Sequence, residues 1–101
     1  MCEFKIIRKN DGSQILEDVV ILSYNDNNEL MLKDVIGMGE TLESALIIDV
    51  NTMNQKCVLV EHPIIKDFIH LTKKLSTHNA EKSDIDLFIS KLETLKANLD
   101  T

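Results

Sequence analysis

The chain has 101 residues, of which 44% are hydrophobic and 28% are charged, and its formal net charge is −6. This length predicts one compact domain, and the hydrophobic content excludes a chain that is disordered throughout. Only 4% of the residues are aromatic and Trp is absent, so the core must consist mainly of Ile, Leu, Val and Met. Such a core is modest, and burial of a second face in a dimer would stabilise it.

The acidic charge lies in the first part of the chain. Residues 1–61 hold 5 basic and 11 acidic side chains, a net −6, whereas residues 62–101 hold 6 of each. An acidic surface repels phosphate, so this distribution disfavours nucleic acid as a partner.

The two cysteines, Cys2 and Cys57, are too few for a disulfide framework. No apolar run is long enough to span a membrane, and the N-terminus lacks the basic and apolar regions of a signal peptide. We therefore expect a cytoplasmic protein with reduced thiols and no membrane partner.

Residues 2–61 contain five β-rich runs separated by turn residues. They are Cys2 to Lys9, Gln14 to Tyr24, Glu29 to Ile36, Thr41 to Val50, and Lys56 to Glu61. Short strands joined by hairpin turns predict a mainly β domain over residues 1–61, a small antiparallel β-barrel of about five strands. Closure into a barrel would remove the exposed strand edges.

The period-two rule predicts which side chains face the core. The expected inward residues are Cys2, Phe4 and Ile6 in the first run, Leu30, Leu32 and Val35 in the third, and Cys57 and Leu59 in the fifth. The continuous apolar stretch Val19 to Leu22 indicates burial on both faces or a bulge.

The pattern changes to helical after His62-Pro63. Apolar residues at three- and four-residue spacing predict a helix from Pro63 to Ser76, and a second helix follows a loop, with Ser83 as its N-cap. Residues 62–101 are therefore predicted to form a helical hairpin extension. It would pack either on the barrel or on its counterpart in a partner chain.

Cys2 is the first candidate functional residue. The initiator Met is usually removed before so small a residue, which would leave the α-amine of Cys2 beside its thiol. These groups and the backbone amide of Glu3 can chelate a thiophilic metal such as Ni(II) or Cu(II). One chain supplies about half of a coordination sphere, and two chains at a two-fold axis would complete a square-planar site that Ni(II) accepts. The alternative is that Cys2 is a small structural residue at the end of a strand.

The remaining candidates favour structural roles. Cys57 lies in an apolar strand and is expected in the core, and the spacing of His62, His70 and His78 is not that of metal ligands. The glycines in the stretch from Asp34 to Gly39 link two strands, so we interpret them as a tight turn. The sequence has no nucleophile elbow, phosphate-binding loop or paired carboxylates, and we expect a protein that is not an enzyme.

RNA binding is the alternative from a different class. Lys5, Arg8 and Lys9 form a small basic patch, and the helical tail carries further lysines. RNA-binding surfaces combine basic residues with exposed aromatic side chains. The aromatic residues here are scattered, so the signal is weak.

Several stretches of the chain resemble the CooT family of small nickel-binding proteins. They are Met1-Cys2, the first strand to Arg8, LEDVV from Leu16 to Val20, LKDVIGMGETLE from Leu32 to Glu43, and ALIIDVNTMNQKCVLVE from Ala45 to Glu61. The resemblance covers about residues 1–61, and its one sharp motif is Met1-Cys2. Many members of that family end soon after the last strand, so residues 62–101 depart from its pattern.

The resemblance implies a small β-barrel and a homodimer that holds one Ni(II) between two chains. The implied ligands are Cys2 and nearby main-chain nitrogens of Cys2 and Glu3. Members of the family are associated with maturation of nickel-dependent carbon monoxide dehydrogenase, and the wider family is also labelled as predicted RNA-binding. We therefore expect a nickel-binding accessory protein for delivery or storage, with a client metalloenzyme as a possible partner. The alternative is an RNA-binding or protein-interaction module in which Cys2 is structural.

Overall fold

The structure is a computed structural model that describes residues 3–99, and the chain divides into two compact units at residues 66 and 67. We call residues 3–66 the β unit and residues 67–99 the helical unit. The elements are β1 Phe4–Arg8, β2 Gln14–Val19, β3 Ile21–Tyr24, β4 Leu30–Lys33, β5 Gly39–Leu42, β6 Ala45–Asn51, β7 Lys56–Glu61, α1 Pro63–Ser76 and α2 Lys82–Ala97. The predicted class, mainly β with a helical extension, is confirmed.

The β unit contains two sheets. One has four strands in the order β2-β1-β7-β6, and the other has three in the order β3-β4-β5. In the four-stranded sheet, β1 pairs antiparallel with β2 but parallel with β7, where Ile6 lies opposite Cys57. The three-stranded sheet is antiparallel throughout.

The prediction of a closed antiparallel barrel with about five strands is wrong. The described residues form seven strands, the two sheets do not close on each other, and one pairing is parallel. The miscount arises in two of the predicted runs, because each of them continues from one sheet into the other. The run from Gln14 to Tyr24 divides into β2 and β3, and the run from Thr41 to Val50 begins within β5 and ends within β6.

The chain changes sheets where it bends. Asp18 adopts a positive φ of 59° near the end of β2, and Val20 lies between the two strands. Strands that change sheets at bends are a usual way to make the corners of a two-sheet core. The apolar stretch Val19 to Leu22 is therefore one such corner.

Both sheets contribute to a single core. It consists of Ile6, Val19, Leu30, Leu32, Leu42, Ala45, Cys57 and Leu59. The predicted inward positions at Ile6, Leu30, Leu32, Cys57 and Leu59 are confirmed, since all five are fully buried. Val35 is 61% exposed, so its predicted burial is wrong; it lies in the β4–β5 turn, where the period-two rule no longer applies.

The turn from Asp34 to Gly39 confirms the interpretation of its glycines. Asp34 Oδ1 accepts backbone hydrogen bonds from Ile36 and Met38, each at 3.0 Å. Gly37 adopts a φ of +85°, which residues with a side chain rarely adopt. Polar backbone groups of the turn are thus satisfied locally.

The start of α1 belongs to the β unit. His62 Nδ1 accepts a hydrogen bond from the backbone N–H of Ile64, and Ser44 Oγ accepts one from that of Lys66 at 2.9 Å. These contacts satisfy N–H groups that have no partner within a helix. The predicted bounds of α1 are confirmed.

The N-cap of α2 is Glu81, and the prediction of Ser83 is wrong. Asp84 accepts a hydrogen bond from the backbone N–H of Glu81 at 2.8 Å, in a capping box that starts the helix two residues earlier than expected. The tail is a helical hairpin, as predicted, because Asp67 pairs with Lys91 while Lys74 pairs with Asp84. Neither described helix is long and apolar enough to cross a membrane.

Candidate metal centre

The candidate site lies where the chain enters β1. Cys2 lies outside the described residues, and Glu3, its neighbour in sequence, is partly exposed directly before β1. β1 is an interior strand of the four-stranded sheet, with β2 on one side and β7 on the other. The backbone N–H of Lys5 also donates to the carbonyl of Gln55 at 2.9 Å. Glu3 therefore leads into a strand that is held from both sides.

The two sheets bring further carboxylates to this end of β1. A shallow, open depression is lined by Glu3, Asp18, Asp34, Val35 and Ile36. Asp18 reaches it from the corner between β2 and β3, and Asp34 reaches it from the turn after β4. The backbone N–H of Val20 donates to the carbonyl of Lys33 at 2.9 Å, so the two sheets are joined beside the depression.

A second polar hollow adjoins the first and shares two of its residues. It is lined by Glu3, Phe4, Lys5, Glu17, Asp18, Asn54 and Gln55. Four carboxylates and a single lysine thus line the two hollows together. A concentration of one sign of charge attracts ions of the opposite sign, so this surface favours cations over phosphate.

The carboxylates do not form a metal site by themselves. Among residues 3–99 no group of three or more His, Cys, Asp or Glu side chains is arranged to hold a metal ion. What the described residues provide is negative charge around Glu3. Glu3 is one of the two predicted metal-site residues, and the other, Cys2, would have to supply the soft ligand.

Cys57 is unsuited to that role. Its side chain is fully buried within the core of the β unit. Burial raises the pKa of the Cys57 thiol, and the nearby Asp49 carboxylate raises it further. The thiolate is the form that binds metals, so this residue stays a protonated core side chain at neutral pH. The predicted core role is confirmed.

The histidines have local structural roles or lie at the surface. His62 accepts the capping hydrogen bond of α1. His70 and His78 are both exposed, and His78 adopts a positive φ of 59° in the loop between the helices.

The basic patch predicted for RNA is partly neutralised. Arg8 pairs with Glu61 and lies 3.7 Å from Asp11, and the hydrogen bond to Glu61 is the main cause of the raised pKa of Arg8. The aromatic side chains of the β unit are not free to stack on bases: Phe4 packs against the core, and Tyr24 donates a hydrogen bond from its hydroxyl to the carbonyl of Ala45 at 2.6 Å. This unit offers little that suits RNA.

Sequence reasoning did not connect Asp18 and Asp34 with Glu3. Asp34 was expected only as part of a tight turn. The signal that could have joined them is the corner at Val19 to Leu22, which turns the chain so that both residues lie near the start of β1.

Comparison of the chain with protein-family models and with curated proteins gives no match. The resemblance to the CooT family therefore rests on the residues quoted for it above.

Proposed function

We propose that this protein is a non-enzymatic nickel-binding accessory protein that holds one Ni(II) between two chains through Cys2. The ligands from each chain are the Cys2 thiolate and one main-chain nitrogen, that of Cys2 or that of Glu3. Two thiolates and two nitrogens form the square-planar set that Ni(II) accepts. Delivery of the ion to a client metalloenzyme, or its storage, is the role that this site serves.

The observation that carries the proposal is the acidic surface next to Cys2 in the chain. Glu3, Asp18 and Asp34 line one depression at the start of β1. Their negative charge raises the local concentration of divalent cations and so favours association of Ni(II) with this surface. Because the depression is open, the ion can enter and leave, as a delivery protein requires.

The burial of Cys57 supports the assignment of the thiolate to Cys2. The sequence has only two cysteines, and Cys57 is a core residue with a raised pKa. A thiolate ligand from this chain therefore has one source. The −6 charge and the partly neutralised basic patch make RNA the weaker alternative.

The test is a titration of the untagged, metal-free protein with Ni(II), in which the thiolate-to-metal charge-transfer absorption is followed. We expect saturation at one ion per two chains and no charge-transfer band in Cys2→Ala. The control is Cys57→Ala, which should retain the band. An identical titration in Cys2→Ala would reject the site, and salt-sensitive binding of RNA by the metal-free protein would favour the alternative.

A second arm of the titration tests the acidic surface. The double variant Asp18→Asn with Asp34→Asn keeps the turn geometry, since Asn tolerates positive φ and Asn Oδ1 accepts the same hydrogen bonds. Loss of two nearby charges should weaken Ni(II) binding by roughly threefold to tenfold at low salt. The band should also disappear as the pH falls, because protons compete for the thiolate. Binding that is insensitive to both changes would contradict the proposal.

A further inference from the structure

The helical unit has an apolar surface that its own two helices do not cover. None of the residues of α2, all of which the structure describes, is buried. Phe68 and Phe88 are in contact, with their ring centroids 6.1 Å apart, and Leu71 is buried. Besides Leu87, six large apolar residues of this unit, Phe68 among them, are between 36% and 68% exposed: Phe68, Leu75, Ile85, Ile89, Leu92 and Leu99. We call these six residues the open stripe.

The two flanks of the helix pair differ in charge. One flank carries the ion pairs Asp67–Lys91 and Lys74–Asp84. Helical periodicity places Ile85, Ile89 and Leu92 on the other flank of α2, because they are spaced by four and three residues. Leu99 follows the end of α2 at Ala97. Ion pairs join the two helices on the charged flank, whereas the apolar side chains of the other flank remain exposed.

The sequence pattern of α2 is that of a helix in a larger bundle. Ile85 and Leu92 take one core position of a heptad, while Phe88 and Leu95 take the other. In such packing both positions are covered by neighbouring helices. Within the pair, Phe88 and Leu95 are partly buried, but Ile85 and Leu92 are exposed. The pair therefore leaves uncovered one core position that further helices cover in a bundle.

The exposed apolar area is comparable with that of an ordinary dimer interface. At roughly 200 Å² for a fully exposed large side chain, the open stripe amounts to about 600 Å² in each chain. A standard interface buries about 800 Å² on each partner, of which somewhat more than half is apolar. The open stripe thus matches the apolar part of an ordinary interface.

The distribution of charge favours a second copy as the occupant. Residues 62–101 carry 6 basic and 6 acidic side chains, so two tails meet without net repulsion, whereas residues 1–61 carry −6 in every copy. The ion pairs lie on the flank that stays outside the contact. A two-fold axis would place the same stripe of each chain against the other, as symmetric dimers require.

We infer that two copies of this protein associate through the open stripes of their helical units and form a four-helix bundle. This association requires neither metal nor Cys2, so it goes beyond the proposed function and does not depend on it. It gives the tail a role: to keep two chains together whether or not Ni(II) is bound.

The test is the molar mass of the full chain in solution with a chelator present, measured by sedimentation equilibrium. We expect twice the 11.5 kDa of one chain, both for the parent protein and for Cys2→Ala. The variant Ile89→Glu with Leu92→Glu should weaken the dimer by at least about 100-fold. The matched control is Leu87→Glu, at a residue of α2 that is 59% exposed but lines the groove on the ion-pair flank. It should remain a dimer.

A second measurement guards against variants that do not fold. The thermal unfolding of the parent protein, followed by far-UV circular dichroism, should shift to higher temperature as the protein concentration increases. A monomeric parent, a melting temperature independent of concentration, or equal dissociation by Leu87→Glu and the double variant would each overturn the inference. Loss of the dimer in Cys2→Ala alone would overturn it while leaving the nickel proposal intact.

Discussion

The β unit and the helical unit differ in how they bury apolar residues. The β unit encloses eight buried residues between two sheets, and six of its large side chains are fully buried. In the helical unit α2 has no buried residue, and large apolar side chains remain about half exposed. Burial of apolar area is the main favourable term in folding. The β unit therefore contains its own source of stability, whereas the helical unit leaves much of its apolar surface uncovered.

The charge follows the same division. The excess of acidic over basic side chains lies within residues 1–61, whereas residues 62–101 carry equal numbers of each. The acidic unit is suited to a cation, and two copies of it repel each other unless a cation lies between them. The neutral unit is suited to such contact. In our proposals, one chain thus uses its acidic unit to bind the ion and its neutral unit for an association that needs no metal.

The largest expected effect is in the core of the β unit. Leu59 is fully buried, and Leu59→Ala should lower the free energy of unfolding by about 2–5 kcal/mol because it removes transfer energy and leaves a cavity. The comparison is Leu92→Ala in α2, at a residue that is 45% exposed, which should cost about 1 kcal/mol or less in dilute protein. Urea denaturation measures both, and equal losses would contradict the division between the units.

A smaller effect is expected where two backbones approach closely. A Cβ at Gly39 would overlap the backbone carbonyl oxygen of Leu32 on the neighbouring strand β4. Gly39→Ala should therefore push β4 and β5 apart, at a cost of up to about 3 kcal/mol. Gly12→Ala is the control, because open space surrounds Gly12 and only its φ of +74° is strained, at about 1 kcal/mol. A larger loss in Gly12→Ala would contradict the strand contact.

The smallest effect is expected in the capping box of α2. The backbone hydrogen bond from Glu81 and the hydrogen bond from Lys74 lower the pKa of Asp84. Because this pKa is lowered, Asp84 stabilises the folded state at pH values above its ordinary pKa of 3.8. This stability is lost as the pH falls through the lowered pKa. Asp84→Asn should therefore reduce the helical signal slightly at neutral pH and make it less sensitive to acid. Circular dichroism as a function of pH checks this, and an unchanged acid dependence would contradict it.

The sequence predicted local structure better than the arrangement of the strands. The bounds of α1 and β7, the tight turn from Asp34 to Gly39 and the inward residues of β4 followed from periodicity and turn chemistry. The corners did not follow, since Val19 to Leu22 looks like one strand when only side-chain polarity is considered. The parallel pairing of β1 with β7 joins residues about fifty positions apart, and no local pattern encodes it.

The candidate site was also predictable only in part, because some of its residues come together through contacts that no local pattern encodes. Cys2 and Glu3 were singled out because of their chemistry at the start of the chain, and Cys57 was correctly assigned to the core. The approach of Asp18 and Asp34 to Glu3 depends on a corner and on a turn from the other sheet, so it required the fold. The N-cap at Glu81 was missed because Ser83 is the more usual capping residue, while the box with Asp84 decides the start of the helix.

The central claim is a nickel ion held between two chains through Cys2. Native mass spectrometry of the untagged protein with Ni(II) at neutral pH tests it most directly, beside Cys2→Ala under the same conditions. We predict a species of two chains with one Ni(II) for the parent protein, and two chains without metal for Cys2→Ala. Equal nickel content in the two proteins, or none in the parent, would contradict the claim.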